Sequence, residues 1–308
     1  MKPLVVAMPG ETARAEALAR RLDADIANRE IRSFPDGETY LRIDSDVHRR
    51  EVIVVDSLDE PNTKLAPLFF VAETARDLRA ARVGLVAPYL AYLRQDARAE
   101  PGEALTSHYF ARLLSSAFDW LVTVDPHLHR IPDLDEVYTA RTRVVEAADA
   151  IAQWIDANVE SPLLVGPDEE SRQWVSAVAD RQDFPTVILE KERHGAYDVE
   201  IQQVEAPVDT ERRPVLIDDI ISTGRTMIEA SRHLESWGMG PPICIGIHGL
   251  FADDALSALR DAGVADIVTC NTVDHETNAI DVTDGLADGI GDILDSGESI
   301  AVVSGVEN

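Results

Sequence analysis

The chain has 308 residues, 45% of them hydrophobic and 27% charged, which suits one large or two medium globular domains and excludes a disordered or fibrous class. Its 56 Asp and Glu against 28 Lys and Arg leave a formal net charge of -28, so it offers no basic surface for a nucleic-acid backbone. In chain order, short apolar runs alternate with amphipathic ones: strand Leu4 to Met8, helix Thr12 to Leu22, strand Val52 to Asp56, helix Leu65 to Leu78, strand Val83 to Pro88, helix Thr106 to Ser116, strand Leu121 to Asp125. The second half repeats the pattern, with helices over Ala147 to Val159, Glu170 to Asp180, Thr226 to Trp237 and Asp253 to Ala262. Its strands are read over Leu163 to Val165, Thr186 to Glu190, Val215 to Asp218, Ile243 to His248 and Asp266 to Thr269. Strands apolar throughout belong to parallel sheets covered on both faces. Two similar α/β domains result, divided near Thr142 to Glu146, with ligands expected beyond the carboxyl ends of the strands.

Only three cations are lysines, Lys2, Lys64 and Lys191, and residues 261–308 carry no Lys or Arg. So acidic a surface suits concentrated salt, where charge is screened within ~3 Å at about 1 M, and the expected setting is a halophile's cytoplasm. Any phosphate ligand must then be held locally, by loops, a few arginines and a divalent cation. Cys244 and Cys270 lie in apolar strand-like runs and are expected as free, buried thiols. The run Leu4 to Met8 is too short for a signal peptide, and no segment approaches the ~20 apolar residues of a membrane span.

The sharpest segment is Val215-Leu-Ile-Asp218-Asp219-Ile-Ile-Ser222-Thr223-Gly224-Arg225-Thr226-Met227: a buried strand, two carboxylates, a hydroxyl-and-glycine turn, then a helix. Backbone N–H groups and hydroxyls at a helix N-terminus suit a phosphate monoester, and adjacent carboxylates suit the hydroxyls of a sugar on the same molecule. Read alone, Pro35-Asp36-Gly37 is a turn, Arg94 a solvated charge and Asp168 a helix cap. There is no G-x-x-x-x-G-K-[ST] loop, and Gly285, Gly289 and Gly291 have the wrong spacing for a dinucleotide fingerprint.

The 215–227 segment resembles the phosphoribosyl-pyrophosphate (PRPP) loop of the phosphoribosyltransferase fold. Ser33-Phe34-Pro35-Asp36-Gly37-Glu38, Tyr92-Leu93-Arg94-Gln95-Asp96, Asp125-Pro126-His127, Asp168 and Lys191-Glu192-Arg193 are similar to further motifs of the ribose-phosphate diphosphokinases (PRPP synthetases), in order and at comparable spacing. The resemblance, to archaeal and halophilic members in particular, implies an α/β fold of two similar phosphoribosyltransferase-type domains. Each would hold a mainly parallel sheet flanked by helices, over residues 1–144 and 145–308.

By that resemblance the enzyme transfers the diphosphate of MgATP to the 1-hydroxyl of ribose 5-phosphate, giving PRPP and AMP. Phe34, Asp36, Gly37, Glu38, Arg94 and Gln95 would hold ATP, while Ser222, Thr223, Gly224, Arg225, Thr226, Asp218, Asp219 and Arg193 would hold ribose 5-phosphate. His127 and Asp168 would bind Mg²⁺, and Lys191 with Arg193 would act as catalytic cations on a mobile loop. A cytoplasmic homo-oligomer, with neither nucleic-acid nor membrane partners, is implied. Three departures stand out. Arg225 replaces a usual glycine, Pro126 a usual leucine, and Ala97 to Glu103 is poor in cations. Two alternatives differ in class: a catalytically silent regulatory subunit, against which His127, Asp168, Lys191 and Arg193 speak, and a PRPP-consuming transferase, which has no use for the ATP motifs.

Overall fold

The computed structural model describes residues 1–193, 199–202 and 209–296. In chain order the elements are β1 (Leu4–Ala7), α1 (Thr12–Arg21), β2 (Asp25–Ile26), β3 (Arg29–Ser33), β4 (Thr39–Ile43), β5 (Glu51–Val55), α2 (Pro61–Asp77), β6 (Arg82–Val86), α3 (Thr106–Ala117), β7 (Trp120–Val124), β8 (Arg141–Val145) and α4 (Ala148–Asn158). There follow β9 (Pro162–Gly166), α5 (Arg172–Gln182), β10 (Thr186–Ile188), β11 (Glu190–Arg193), β12 (Val199–Gln202), β13 (Arg213–Ile221), α6 (Arg225–Ser236), β14 (Ile243–Gly249), α7 (Ala255–Asp261), β15 (Asp266–Cys270), β16 (Asn278–Ile280) and α8 (Thr283–Asp295).

Two six-stranded sheets dominate, in the orders β2-β1-β5-β6-β7-β8 and β10-β9-β13-β14-β15-β16, every pairing parallel. The identical order makes β5 the topological counterpart of β13. Helices flank both sheets because their apolar residues recur at three- and four-residue steps: α3 buries Phe110, Ala111 and Leu114, and α6 buries Met227, Ala230 and Leu234. Two short ladders stand apart, β3 with β4 and β11 with β12, both antiparallel.

The two halves share one core. A single cluster of buried side chains includes Ile53 and Trp120 of the first sheet, Ile217 and Ile245 of the second, Ile151 of α4 and Ile290 of α8. Helix α8 crosses back from the end of the chain onto α1, β7 and β8. A Cβ at Gly285 or Gly289 would stand 2.9 or 2.8 Å from Val145 side-chain carbons, so these glycines permit close helix–sheet contact. Cys244 and Cys270 are free and fully buried.

The loop after β5 occupies the place that the hydroxyl-and-glycine turn takes after β13. Its Asp56 is 1% exposed, and among the described residues Lys64 is the cation beside it, with Nζ 3.7 Å from Oδ1. Burial pushes this carboxyl up to about 7; Lys64 pulls it down, while Glu11 and Asp59 push it further up. The folded state therefore holds the proton more tightly than the unfolded chain, so stability from this group is full below pH ~4 and is lost as pH rises towards 7. Asp56→Asn should flatten the decline of the thermal midpoint between pH 5 and 8, at constant salt. An unchanged slope would show that Asp56 titrates in the ordinary range.

Candidate active site

Strand β13 runs through Asp218 and Asp219 to Ile221, three residues beyond the predicted end. Consecutive strand residues face opposite sides, and this separates the two acids. The Asp219 carboxylate accepts a hydrogen bond at 2.5 Å from Nδ1–H of His127, which comes from the turn after β7. Asp218 instead stands near Asp168 and Glu170; burial, then the charges of Asp219 and Asp168, hold its carboxyl well above the ordinary range, against a backbone N–H from Asp219.

The two sheets thus bring their C-terminal ends together. The His127 ring stacks over Trp174 of α5, with centroids 6.5 Å apart and planes 10° apart, and meets His129 edge-on at 4.2 Å. His129 Nε2 reaches Glu170 at 3.6 Å. Burial pushes the neighbouring Asp125 carboxyl up to about 7, opposed by a hydrogen bond from Ala147 N–H and reinforced by Glu146 and Asp219. The Asp219 charge is felt by both Asp125 and Asp218, and that of Asp168 by Asp218, so carboxyl groups repel one another along this seam, an arrangement that a divalent cation would relieve. Among the described residues, no group of three or more His, Cys, Asp and Glu is placed to cage a metal. Asp168 also caps the entry to α5: its Oδ1 accepts from Ser171 N–H at 3.3 Å and its carbonyl from Ser171 Oγ at 2.6 Å.

Gly224 takes the left-handed conformation, φ 71°, immediately before α6. Arg225 is the first helical residue, so the positive φ falls on the glycine and arginine at 225 does not strain the loop. Arg225 and Thr223 are exposed, Ser222 and Thr226 half-buried. Together they form a shallow rim at the helix N-terminus, beside Asp219.

The two segments expected to hold ATP separate. Phe34, Asp36, Gly37 and Glu38 form the tip of the β3–β4 hairpin, closed by Phe34 N–H to the Glu38 carbonyl at 2.7 Å and by Gly37 N–H to the Phe34 carbonyl at 2.9 Å, with Gly37 at φ 93°. Phe34 is exposed, touching Tyr40 edge-on at 6.1 Å and the Arg32 guanidinium at 5.0 Å. Its contacts stay within the hairpin, away from His127. Burial raises the Tyr89 phenol, the Arg94 charge lowers it, and Asp219 and Asp59 raise it. Gln95 holds the start of α3, accepting at its side-chain oxygen from Thr106 at 3.2 Å and at its carbonyl from Ser107 Oγ at 3.2 Å.

Lys191 and Arg193 lie in β11, which pairs antiparallel with β12 in the register Lys191 to Ile201 and Arg193 to Val199. This is a hairpin strand where a loop after a longer strand was predicted. The side chains of these two residues lie outside the described residues.

Motif reading leaves several residues of this site unassigned: Tyr89, Asp96, Asp125, Trp174 and His248. Asp96 accepts at 2.9 Å from Arg130 N–H and at 3.0 Å from its guanidinium. Burial works against this carboxylate, yet Arg130 holds it below the ordinary range. The pair ties the Arg94-Gln95 segment to the chain beyond His127. Asp125 and His248 both stand at the carboxyl ends of strands, the position where ligands gather in parallel sheets, and that position alone could have flagged them.

Comparison with known sequences gives two matching families: residues 4–117 match the N-terminal domain of ribose phosphate pyrophosphokinase, and residues 133–284 match the phosphoribosyl transferase domain. A ribose-phosphate pyrophosphokinase of Saccharolobus solfataricus is 34% identical over 279 residues, covering 88% of this chain and 94% of that protein. One from Methanopyrus kandleri is 33% identical over 276 residues, covering 89% and 93%. Among solved structures, the phosphoribosylpyrophosphate synthetase of Mycobacterium smegmatis superposes with a TM-score of 0.84 at 22% identity, over 96% of this chain and 100% of that one. That likeness shows the fold, two phosphoribosyltransferase-type α/β domains.

Proposed function

We propose, from the premise that this chain belongs to the ribose-phosphate pyrophosphokinase family, how its residues divide the transfer of diphosphate from ATP to ribose 5-phosphate. The 1-hydroxyl oxygen of the sugar bonds to the β-phosphorus, the bond from that phosphorus to the α-phosphate oxygen breaks, and the hydroxyl proton departs, leaving PRPP and AMP. Such a transition state concentrates negative charge, so positioning and electrostatics carry most of the catalysis.

The observation that carries the assignment is the meeting of His127, from the first sheet, with Asp219, from the second. One half presents the nucleotide side, the other the sugar. In this reading Ser222, Thr223, Gly224, Arg225 and Thr226 receive the 5-phosphate at the N-terminus of α6, where backbone N–H groups favour an anion. Asp219 and Asp218 accept from the ribose hydroxyls, and Arg193 is assigned to the same substrate. Arg94 and Gln95 orient ATP, and Phe34, Asp36, Gly37 and Glu38 contact the base.

His127 and Asp168 would hold Mg²⁺, which would supply charge neutralisation at the phosphates. The donor set fits it, since carboxylate oxygens outnumber the single imidazole. Lys191 and Arg193 balance charge on the transferred diphosphate. Among the described residues no helix is long and apolar enough to cross a membrane. Two buried free thiols suit a reducing cytoplasm, and the exposed Phe34, Phe70, Tyr109 and Leu113 suit a homo-oligomer.

The test is AMP and PRPP formation from ATP and ribose 5-phosphate with Mg²⁺ at high KCl, omitting each substrate in turn. Product that depends on both substrates is expected. Binding of either substrate without turnover would point to a silent subunit, and PRPP consumption with a nucleobase to a transferase. Lys191→Ala is expected to abolish PRPP formation with the thermal midpoint unchanged; undiminished turnover would remove Lys191 from the mechanism.

A further inference from the structure

His248, near the end of β14, is 1% exposed and stands where the two halves meet. Its Nε2 lies 3.2 Å from the backbone carbonyl of Asp125. Backbone carbonyls, of Asp125 and Val124, hydrogen-bond the ring, whereas Nδ1 faces a hydroxyl that can itself donate, so Nε2 is assigned the proton. Burial pushes the imidazole down to about 4, against the pull of the backbone carbonyls around it, so the ring is neutral and Nδ1 is bare. The Thr272 hydroxyl, 2.9 Å from Nδ1, shares its one proton between that nitrogen and the Ile247 carbonyl 2.7 Å away. The Thr272 carbonyl in turn accepts from Ser57 Oγ at 2.6 Å, and Ser57 N–H donates to Glu11 at 3.1 Å. A buried polar chain therefore runs from the ends of β1 and β5 in the first half, through Thr272 and His248 in the second, back to Asp125 in the first.

What it reaches is a strained turn. Asp125 has φ 31° and precedes proline, a position where left-handed backbone is doubly disfavoured. Such a conformation persists only when its surroundings over-determine it. Three hydrogen bonds do so: Asp125 N–H donates to the Val145 carbonyl at 3.0 Å, Ala147 N–H donates to its carboxylate at 2.7 Å, and His248 donates to its carbonyl. Two residues later His127 meets Asp219. His248 is also in register with Ile220 on the neighbouring strand, one residue past Asp219. The same imidazole is thus fixed to the strand that carries Asp219 and to the turn that carries His127.

We propose that His248 is a positioning residue, whose Nε2–H holds the 125–127 turn of the first half in register with Asp219 of the second. It acts through Asp125 and does not touch substrate. The effect on turnover rests on the reading of this site as a diphosphotransferase centre; the effect on geometry does not.

The experiment compares three substitutions in the full-length enzyme. His248→Phe keeps a ring without a donor. His248→Gln places an amide N–H near the position of Nε2, whereas His248→Asn reaches only towards Thr272 and leaves the Asp125 carbonyl unpaired. Loss of alignment on the scale of 1 Å costs on the order of 10²-fold, so kcat should fall about that far in the Phe and Asn variants, with both KM values close to wild type, while Gln recovers most of it.

The second readout needs no turnover. In metal-free protein labelled with nitrogen-15 histidine, the His127 Nδ1–H resonance of the bond to Asp219 should be present in wild type and Gln and absent in Phe and Asn. If wild type makes no PRPP but the resonance follows this pattern, the functional reading fails and the positioning role stands. If wild type is active and Phe keeps both kcat and the resonance, the proposal falls. Should the Phe variant not fold, the amide pair decides, and equal behaviour of Gln and Asn overturns the proposal.

Discussion

Asp219→Asn is expected to lower PRPP formation by about 10²- to 10³-fold, the scale seen when one preorganised polar group is removed from a buried site, while the fold persists. The change is isosteric, and the amide oxygen can still accept from His127 Nδ1–H. What disappears is one negative charge on a side chain only 5% exposed, beside Asp125 and Asp218, whose own carboxyls it helps to raise. Removing it relieves repulsion, so the thermal midpoint should hold or rise as activity falls. Few structural roles give that opposition of sign. Asp218→Asn should cost less, because strand alternation turns Asp218 away from His127 and its carboxyl is already pushed towards the neutral form. Steady-state kcat and KM for ribose 5-phosphate, read with thermal melts of the same samples, check both statements. If Asp218→Asn proves the more damaging, the sugar side of the site has been assigned to the wrong face of β13.

The difference between these two acids shows where sequence reasoning stopped. Val215 to Asp218 reads as a strand because its apolar residues are continuous, and the acids then look like its terminus. The strand in fact runs on through Ile220 and Ile221, so Asp218 and Asp219 are neighbours in sequence but partners of different halves. Local signals served well where one residue type is demanded by backbone geometry. Gly224 supplies the positive φ before α6, and Gly37 supplies it at the β3–β4 turn. They served poorly where a residue acts across the seam. His248 is legible only as the last position of an apolar strand, since its partners Asp125 and Thr272 lie 123 and 24 residues away. Gly285 and Gly289 look like a defective nucleotide fingerprint until α8 is seen lying on Val145. The β3–β4 hairpin was visible only as its turn, because β3, Arg29–Ser33, has one aliphatic residue, Ile31, to mark it.

Diluting the salt should cost this protein its fold before it costs any single contact. The net charge is -28, and two unit charges 10 Å apart in water repel by about 0.4 kcal/mol when unscreened. Screening reaches ~10 Å at 0.1 M and ~3 Å at 1 M, so most of that repulsion vanishes across this range. Helix α8 shows where it concentrates. Asp284, Asp288, Asp292 and Asp295 follow one side of the helix at three- and four-residue steps, the spacing at which like charges destabilise each other. Against them stand Arg21, bonded to Asp284, and Arg143, 2.8 Å from Asp292. This is the helix that crosses back and binds the halves together. Relief of about 3 kcal/mol would raise the midpoint by roughly 5 °C for a chain of this size, so the midpoint is expected to climb by that order between 0.1 and 2 M KCl, with activity following. Asp288→Lys should lift the low-salt midpoint and leave the value at 2 M KCl nearly unchanged, because a charge effect screened away in the wild type has nothing left for the substitution to relieve. A midpoint equal at both salt concentrations would assign the acidity to composition alone and remove α8 as the weak point.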